Sequence, residues 1–376
     1  MILVFDVVVI GGNLSGATAA INSAKSGANV VLVEKNKEPY FPPHCGEATD
    51  KVTASILNLD GIGCPKNEIK QIKINVSSAK EYNFKLKKNS VLVIDRNFLE
   101  KHLLKRAKNH GVELKLGRSM VTFNPPNEIV LDNKEIIKGK VIIDATGIGC
   151  QIGRRIGINT ELGPKDIGVC IQSRVQSEFN SEIMKIWFHK PYAPFGYAWL
   201  FPKNEKIANI GIGVPGGQKL DLIKLKNMYI DDEIGEKFKI TNTFRSCVPA
   251  SKPLEHLTKD NILFVGDAAR LANPVIKNGI GNAIFSGSLS GKIAGKYIQG
   301  KIHSLKYYEK LMNEKVTRLT RNYNWKNKIK TEAKFVKSYK RGISLLCLLN
   351  KLFPNVSENQ LIRIVQKDKR ILDSLK

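Results

Sequence analysis

A strand that runs straight into a glycine turn and then a helix leaves this chain few folds to choose from. Val4–Ile10 is a strand run, apolar except at Asp6, and it stops at Gly11-Gly12-Asn13-Leu14-Ser15-Gly16. Ala17–Lys25 follows with small and apolar residues that suit a helix, and Asn29–Val33 reads as a second strand closing on Glu34. Together they make a β-α-β unit. The loop matches the G-x-G-x-x-G pattern except at Asn13, which replaces the middle glycine. Gly11 is expected to allow the turn, and Gly16 to let strand and helix approach closely. Backbone N–H groups at the helix start, Gly12 and Ser15 among them, would then face a pyrophosphate. Asparagine enters left-handed backbone more readily than most residues, so the turn is expected to survive the replacement. Glu34, about 20 residues on, is placed to bond ribose hydroxyls.

About 250 residues later the chain repeats half of this signal. Asn261-Ile-Leu-Phe-Val-Gly266-Asp267-Ala-Ala-Arg270 is an apolar strand, a Gly-Asp turn and small residues. A plain nicotinamide dehydrogenase needs nothing of the kind so late. A chain that encloses a whole FAD must return to set an acid beside the ribityl chain, and Asp267 fits that need. Asn278-Gly279-Ile280-Gly281 then opens a helix over Asn282–Ala294. A helix N-terminus there favours negative charge, as on the N1/C2=O edge of a reduced flavin.

Length and composition agree with a soluble, well-cored protein: 376 residues, 42% hydrophobic and 25% charged. The longest apolar run, Leu345–Leu349, is far short of the ~20 residues of a spanning helix. Met1 leads directly into a strand pattern without a basic leader, so no secretory signal is expected. Six cysteines lack C-x-x-C spacing, which points to reduced thiols in a cytoplasmic setting and to no metal site. Net charge is +26, and residues 301–376 carry 19 Lys and Arg against 6 Asp and Glu. Such a field attracts anionic partners. Without a nucleic-acid motif, an anionic membrane surface is the expected one, with the protein peripheral on the inner face of the cell membrane. Ala333–Leu352, basic and then apolar, reads either as an interfacial segment or as a helix packed on the protein's own core.

The middle of the chain changes character. Gly168–Val175 and Ile207–Val214 alternate as antiparallel strands do, and residues 70–90 are similar enough to join the same sheet. The domain reading is discontinuous. Residues 1–69, 91–165 and 255–300 would form an FAD-binding domain, and 70–90 with 166–254 a substrate-binding β-sheet domain. Residues 301–376 would be a basic helical C-terminal region. Within the sheet region, Pro191–Pro202 is rich in aromatics. On a strand Tyr197, Trp199 and Phe201 share one face, which can wall an apolar pocket over a flavin ring or simply join a core. Cys45-Gly46-Glu47, with His44 beside it, places a thiol, an imidazole and a carboxylate in one loop.

These segments resemble the geranylgeranyl reductase family of flavoproteins, within the larger p-hydroxybenzoate-hydroxylase-like group. The resemblance spans roughly residues 3–295. Gly11–Gly16, Glu34, Asp95-Arg96, Asp144–Gly147 and Gly266-Asp267 carry its generic part; Cys45-Gly46-Glu47 and Gly196-Tyr197-x-Trp199-x-Phe201-Pro202 carry its specific part. It implies an α/β fold. This is a Rossmann-like FAD-binding domain of the hydroxylase type, an antiparallel substrate sheet and a helical C-terminal region. It also implies FAD contacts at Arg96, Lys35, Cys45, Gly46, Ala48, Val121, Gly279 and Ile280. Cys45, then His44 and Tyr197, are the implied proton donors, and Tyr197, Trp199 and Phe201 the implied substrate contacts. The implied activity is reduction of C=C bonds in geranylgeranyl chains, in the archaeal branch those of isoprenoid ether phospholipids. No second nucleotide loop follows, so the electron donor would be a transient NAD(P)H or a ferredoxin. Two other readings share the scaffold: an FAD-dependent monooxygenase, and a non-catalytic flavin-bound binding protein. The segment Asn273–Asn278 lacks the further glycines that often precede the flavin helix.

Overall fold

The computed structural model describes residues 2–38, 45–77, 80–86 and 91–352. Two compact units emerge, one of Met1–Pro43, Arg96–Ile167 and Cys247–Lys326, the other of His44–Asp95, Gly168–Ser246 and Asn327–Lys376.

The first unit is built on an eight-stranded sheet among the described residues. Ile2–Ile10 lies at its centre, parallel to Ile136–Asp144 on one side and to Val30–Glu34 on the other. Glu113–Leu116 and Ile262–Phe264 extend the parallel array outward, and the hairpin Met120–Asn124 with Glu128–Leu131 adds an antiparallel edge. Parallel strands are covered on both faces, which explains the near-continuous apolar runs. Val7–Val9, Val31–Leu32 and Val141–Ile143 are fully buried. The first helix, Leu14–Lys25, is covered by a late helix, Ile280–Ile298. Backbone meets backbone there: a Cβ on Gly287 would lie 2.1 Å from the Ser15 carbonyl oxygen, and one on Gly291 2.2 Å from that of Ala19. Spacing of four puts both glycines on one helix face. The following helix, Tyr307–Lys328, buries Tyr308, Met312 and Leu319, and the Tyr308 hydroxyl donates to the Phe264 carbonyl at 3.0 Å. That contact draws residues 301–326 into the first unit.

The second unit holds a seven-stranded sheet among the described residues. Its order is Lys239–Pro249, Ile167–Gln176, Ile207–Pro215, Ala193–Pro202, Ile183–His189, Gln71–Val76, Glu81–Lys85. The two alternating stretches pair antiparallel, from Gly168 opposite Pro215 to Gln176 opposite Ile207. Gln71–Val76 joins beside Ile183–His189, and there the pairing is parallel. A small sheet sets Ala48–Asp50 and Lys66–Ile69 on either side of Val91–Ile94, so residues 45–69 cluster with this unit. The helix Glu332–Leu352 turns its apolar side onto the unit's own sheet. Phe335 and Ile343 are buried with Val76, Phe84 and Phe188, and Val336, Tyr339, Leu346 and Cys347 pack around them. Lys334, Lys337 and Arg341 stay exposed. Of the two readings open for this segment, the core contact takes up the apolar stripe that an interfacial helix would need. Among the described residues no helix is long and apolar enough to cross a membrane.

Candidate active site

In the first unit the glycine loop is as tight as its sequence demands. Gly11 has φ +108°, and a Cβ there would sit 2.2 Å from the Ala145 carbonyl oxygen; one on Gly16 would sit 1.8 Å from that of Gly11. Asn13 behaves otherwise than expected. Its φ is −72°, an extended conformation open to most residues, so left-handed tolerance is not why it fits. It fits because its side chain caps the helix. Its Oδ1 accepts from Ser15 N at 3.0 Å, Gly16 N at 3.3 Å and Ser15 Oγ at 2.8 Å, while its Nδ2 donates to the Ala145 carbonyl at 2.7 Å. An amide with both donor and acceptor thus replaces glycine and ties two loops together. The Ser15 donors are used internally. The N–H groups of Asn13 and Leu14 donate to no described residue and remain at the positive end of the helix.

Around this loop the acids take distinct roles. Glu34 is buried; one oxygen accepts from Gly12 N at 2.7 Å and the other from Asn36 N at 2.8 Å. Asp144 is fully buried and works as a staple, accepting from Thr146 N, Thr146 Oγ1, Ile152 N and Gly153 N. The Asp267 carbonyl accepts from Arg270 N at 3.0 Å, while its carboxylate has no hydrogen-bond partner among the described residues. Burial pushes its carboxyl up to about 6, against the opposing pull of the Arg96 guanidinium. Arg96 is itself paired with buried Glu100. A Cβ on Gly279 would come 3.6 Å from Asp267 Oδ1, so the acid stands beside the uncapped start of the late helix, where Ile280 is buried. Unspent helix-start donors, a glycine cradle and a half-buried carboxylate without a hydrogen-bond partner are what a dinucleotide with a polyhydroxyl chain requires, and FAD has both parts. Lys35 and Val121 are exposed, and the Val121 carbonyl accepts from Arg155 Nη2 at 2.8 Å.

In the second unit one face of the seven-stranded sheet is laid out in rows. Cys170, Gly213, Tyr197, Phe188 and Val76 lie across from one another in register. So do Gln172, Gly211, Trp199, Ile186 and Ile74. Arg174, Asn209 and Phe201 form the third row. Each row runs from a polar or thiol side chain, past a small residue, to an aromatic. The Tyr197 and Trp199 ring centroids are 5.6 Å apart, those of Trp199 and Phe201 6.2 Å. Gly211 makes room for the indole, since a Cβ there would meet Trp199 Cζ2 at 2.5 Å. The indole N–H therefore reaches across to Gln172 Oε1 at 3.1 Å.

The Cys45–Glu47 segment lies against these rows. A Cβ on Gly46 would fall 2.8 Å from the Phe201 ring. Glu47 is buried at φ +67°, a costly backbone for a side chain with a Cβ. Three donors hold it there: Lys203 Nζ at 2.6 Å, Asn209 Nδ2 at 2.8 Å and Arg174 Nη2 at 3.0 Å. Its own N–H donates to Cys45 Sγ at 3.2 Å. Burial holds the Tyr197 phenol well above its ordinary range, and neighbouring Cys170 and Cys45 add to the effect, so it stays protonated. Ala48 begins the short strand that follows. His44 lies outside the described residues.

Comparison with known proteins decides the family. A description of the geranylgeranyl reductase catalytic domain matches residues 166–248, and one of FAD-dependent oxidoreductases matches residues 6–189. A digeranylgeranylglycerophospholipid reductase of Methanocaldococcus jannaschii is 30% identical over 83% of each chain. The chain belongs to the geranylgeranyl reductase family. A reductase of the same description from Methanothrix thermoacetophila is 28% identical, again over 83% of each chain. The crystal structure of a geranylgeranyl bacteriochlorophyll reductase-like protein from Thermoplasma acidophilum superposes with a TM-score of 0.86 at 25% identity, covering 100% of this chain and 99% of that one. Membership makes the protein an FAD-dependent oxidoreductase. The reductase catalytic match takes in the strands that carry Cys170–Arg174, Tyr197–Phe201 and Asn209–Gly213.

Several residues of this site were not singled out from the sequence. Gln172, Arg174, Asn209, Gly211 and Gly213 sit on strands whose alternation was legible, and Lys203 directly follows one, yet nothing local said which alternate set faced Cys45. The pair Gly211-x-Gly213 was the available signal: glycines in a strand interior often mark close approach by a bulky group.

Proposed function

We propose that this protein uses FAD to saturate the C=C bonds of geranylgeranyl chains on isoprenoid ether phospholipids. The row of aromatics carries the proposal: Tyr197, Trp199 and Phe201 stand side by side on one face of the sheet, the apolar wall a polyprenyl chain needs. When bound and reduced, FAD supplies the hydride equivalent. Gly11–Gly16, Glu34, Arg96 and Asp267 would hold it. An isolated trisubstituted alkene is not electron-poor, so a proton must be delivered to its other carbon. Cys45 is the first candidate for that role, and the Glu47 N–H on its sulfur would favour the thiolate left behind. Tyr197, kept neutral by burial, is the second. Incubating the dithionite-reduced protein with geranylgeranyl phospholipid and weighing the products tests the reading. Each saturation adds two hydrogens, and an unchanged lipid mass would overturn it. Oxygen consumption coupled to hydroxylation would instead support a monooxygenase. Cys45→Ser should slow reduction with FAD still bound.

The electrons would come from NAD(P)H or a reduced ferredoxin, and direct comparison of the two donors separates them. The excess of positive charge would hold the protein peripherally on anionic lipid, each basic residue near the surface adding on the order of 1 kcal/mol. Binding to anionic vesicles should then fall steeply with salt. Binding that ignores salt would remove the membrane from the proposal.

A further inference from the structure

Gln172 is buried at the middle of the polar ends of the three rows, and both ends of its amide are used. Its Oε1 accepts from the Trp199 indole at 3.1 Å, and its Nε2 donates to the Cys45 carbonyl at 3.1 Å. The strand carrying it and the Cys45 loop are 127 residues apart in sequence, and the amide is a direct tie between them. The tie is oriented. An indole N–H can only donate, a peptide carbonyl can only accept, and a primary amide is the side-chain group that offers one acceptor and one donor in a single rigid plane. The neighbouring row ties the same loop a second time. Asn209 Nδ2 donates to the Gly46 carbonyl at 3.3 Å and to Glu47.

We infer that Gln172 is a positioning residue that couples the Trp199 indole to the Cys45 loop, so that the aromatic face and the thiol hold one geometry. The inference rests on the reading of Tyr197, Trp199 and Phe201 as the prenyl-binding surface. It gives Gln172 a role in turnover without contact to the reacting atoms. Leucine at 172 keeps most of the volume but leaves the Cys45 carbonyl and the indole N–H unpaired. Glutamate keeps the acceptor for the indole and, when ionised, has no donor for the carbonyl. Phenylalanine at 199 removes the indole donor and frees the amide to rotate.

The test uses the FAD-loaded full chain and two readouts. One is the rate of Cys45 alkylation by iodoacetamide, mapped by peptide mass. The other is the kcat and KM for a geranylgeranyl glycerophospholipid in detergent. Gln172→Leu should alkylate about tenfold faster and turn over about tenfold slower, with KM changed by less than about twofold. Trp199→Phe should move alkylation in the same direction. The double variant should be no worse than the more affected single one, because both remove the same link. Alkylation and kcat unchanged in a folded, yellow Gln172→Leu protein would overturn the inference, and so would effects of the two changes that multiply. If Gln172→Leu does not fold, Gln172→Glu and Trp199→Phe decide: parental alkylation in both overturns the link, and faster alkylation in both supports it. If the parent reduces no prenyl chain, the functional reading fails, while the alkylation comparison still judges the tie.

Discussion

The two faces of the seven-stranded sheet are made of the same strands, yet they differ in every respect that matters for chemistry. On one face Ile171, Val175, Ala198, Leu200, Ile210 and Ile212 pack with Tyr229 and Ile230 of the helix Leu222–Ile234. Aliphatic side chains fill this face and exclude water. On the other, Tyr197, Trp199 and Phe201 each face a glycine or asparagine, and each of those faces Cys170, Gln172 or Arg174. Adjacent residues in the chain thus serve opposite ends, because side chains alternate along a strand. The packed face tolerates any side chain of suitable volume. The other face requires particular groups at particular places, since a buried donor or acceptor left without its partner costs about 1–3 kcal/mol.

The sharpest test of that contrast is a single methyl group. Gly211→Ala should drive the Trp199 ring from its place and lower kcat/KM by about a thousandfold, measured per folded, flavin-loaded molecule. Parental turnover in that variant would mean that the aromatic face is ordinary core. One residue away, Ile210→Ala should destabilise the protein by about 3 kcal/mol in chemical denaturation while kcat/KM per folded molecule stays the same. A change in kcat/KM would break the separation of the faces.

The first unit extends the contrast, with Asp267 as an acid kept in place at the expense of stability. Its folded pKa, near 6, stands above the ordinary carboxylate value. The stability tied to its protonated form is complete below about pH 4 and lost as pH rises through the folded value. In FAD-free protein, Asp267→Asn should therefore match the parent at pH 4 and exceed it by roughly 2 kcal/mol at pH 8. FAD affinity should fall in the same variant. The smallest effect is expected at Lys226, a polar intrusion on the packed face. Its ammonium donates to Ser173 Oγ at 2.6 Å, and burial pulls its pKa down. Lys226→Met should raise stability at pH 7 by about 1 kcal/mol without touching turnover. A loss of turnover would show that this face reaches the chemistry after all.

Much of this was legible in advance because it is local. The glycine loop, Glu34 and the late Gly266-Asp267 return are short-range patterns, and each lies on the element expected of it. Alternation alone put Tyr197, Trp199 and Phe201 on one face. Asn13 shows where local reasoning failed. Its backbone is ordinary, and its value lies in a bond to Ala145, a residue 132 positions away. The helix Glu332–Leu352 shows the same limit, since an apolar stripe announces burial without naming the surface that covers it.

What the chain determined by itself was therefore the set of elements and the face on which each side chain emerges, because φ and ψ preferences and side-chain periodicity act over a few residues. Only the tertiary structure decided that Gly211 stands opposite Trp199, that Gln172 joins the indole to Cys45, and that Glu47 collects Arg174, Lys203 and Asn209. Strand register and the docking of a loop on a sheet depend on the balance of packing over the whole unit. A shift of one residue would have turned every one of these side chains to the opposite face.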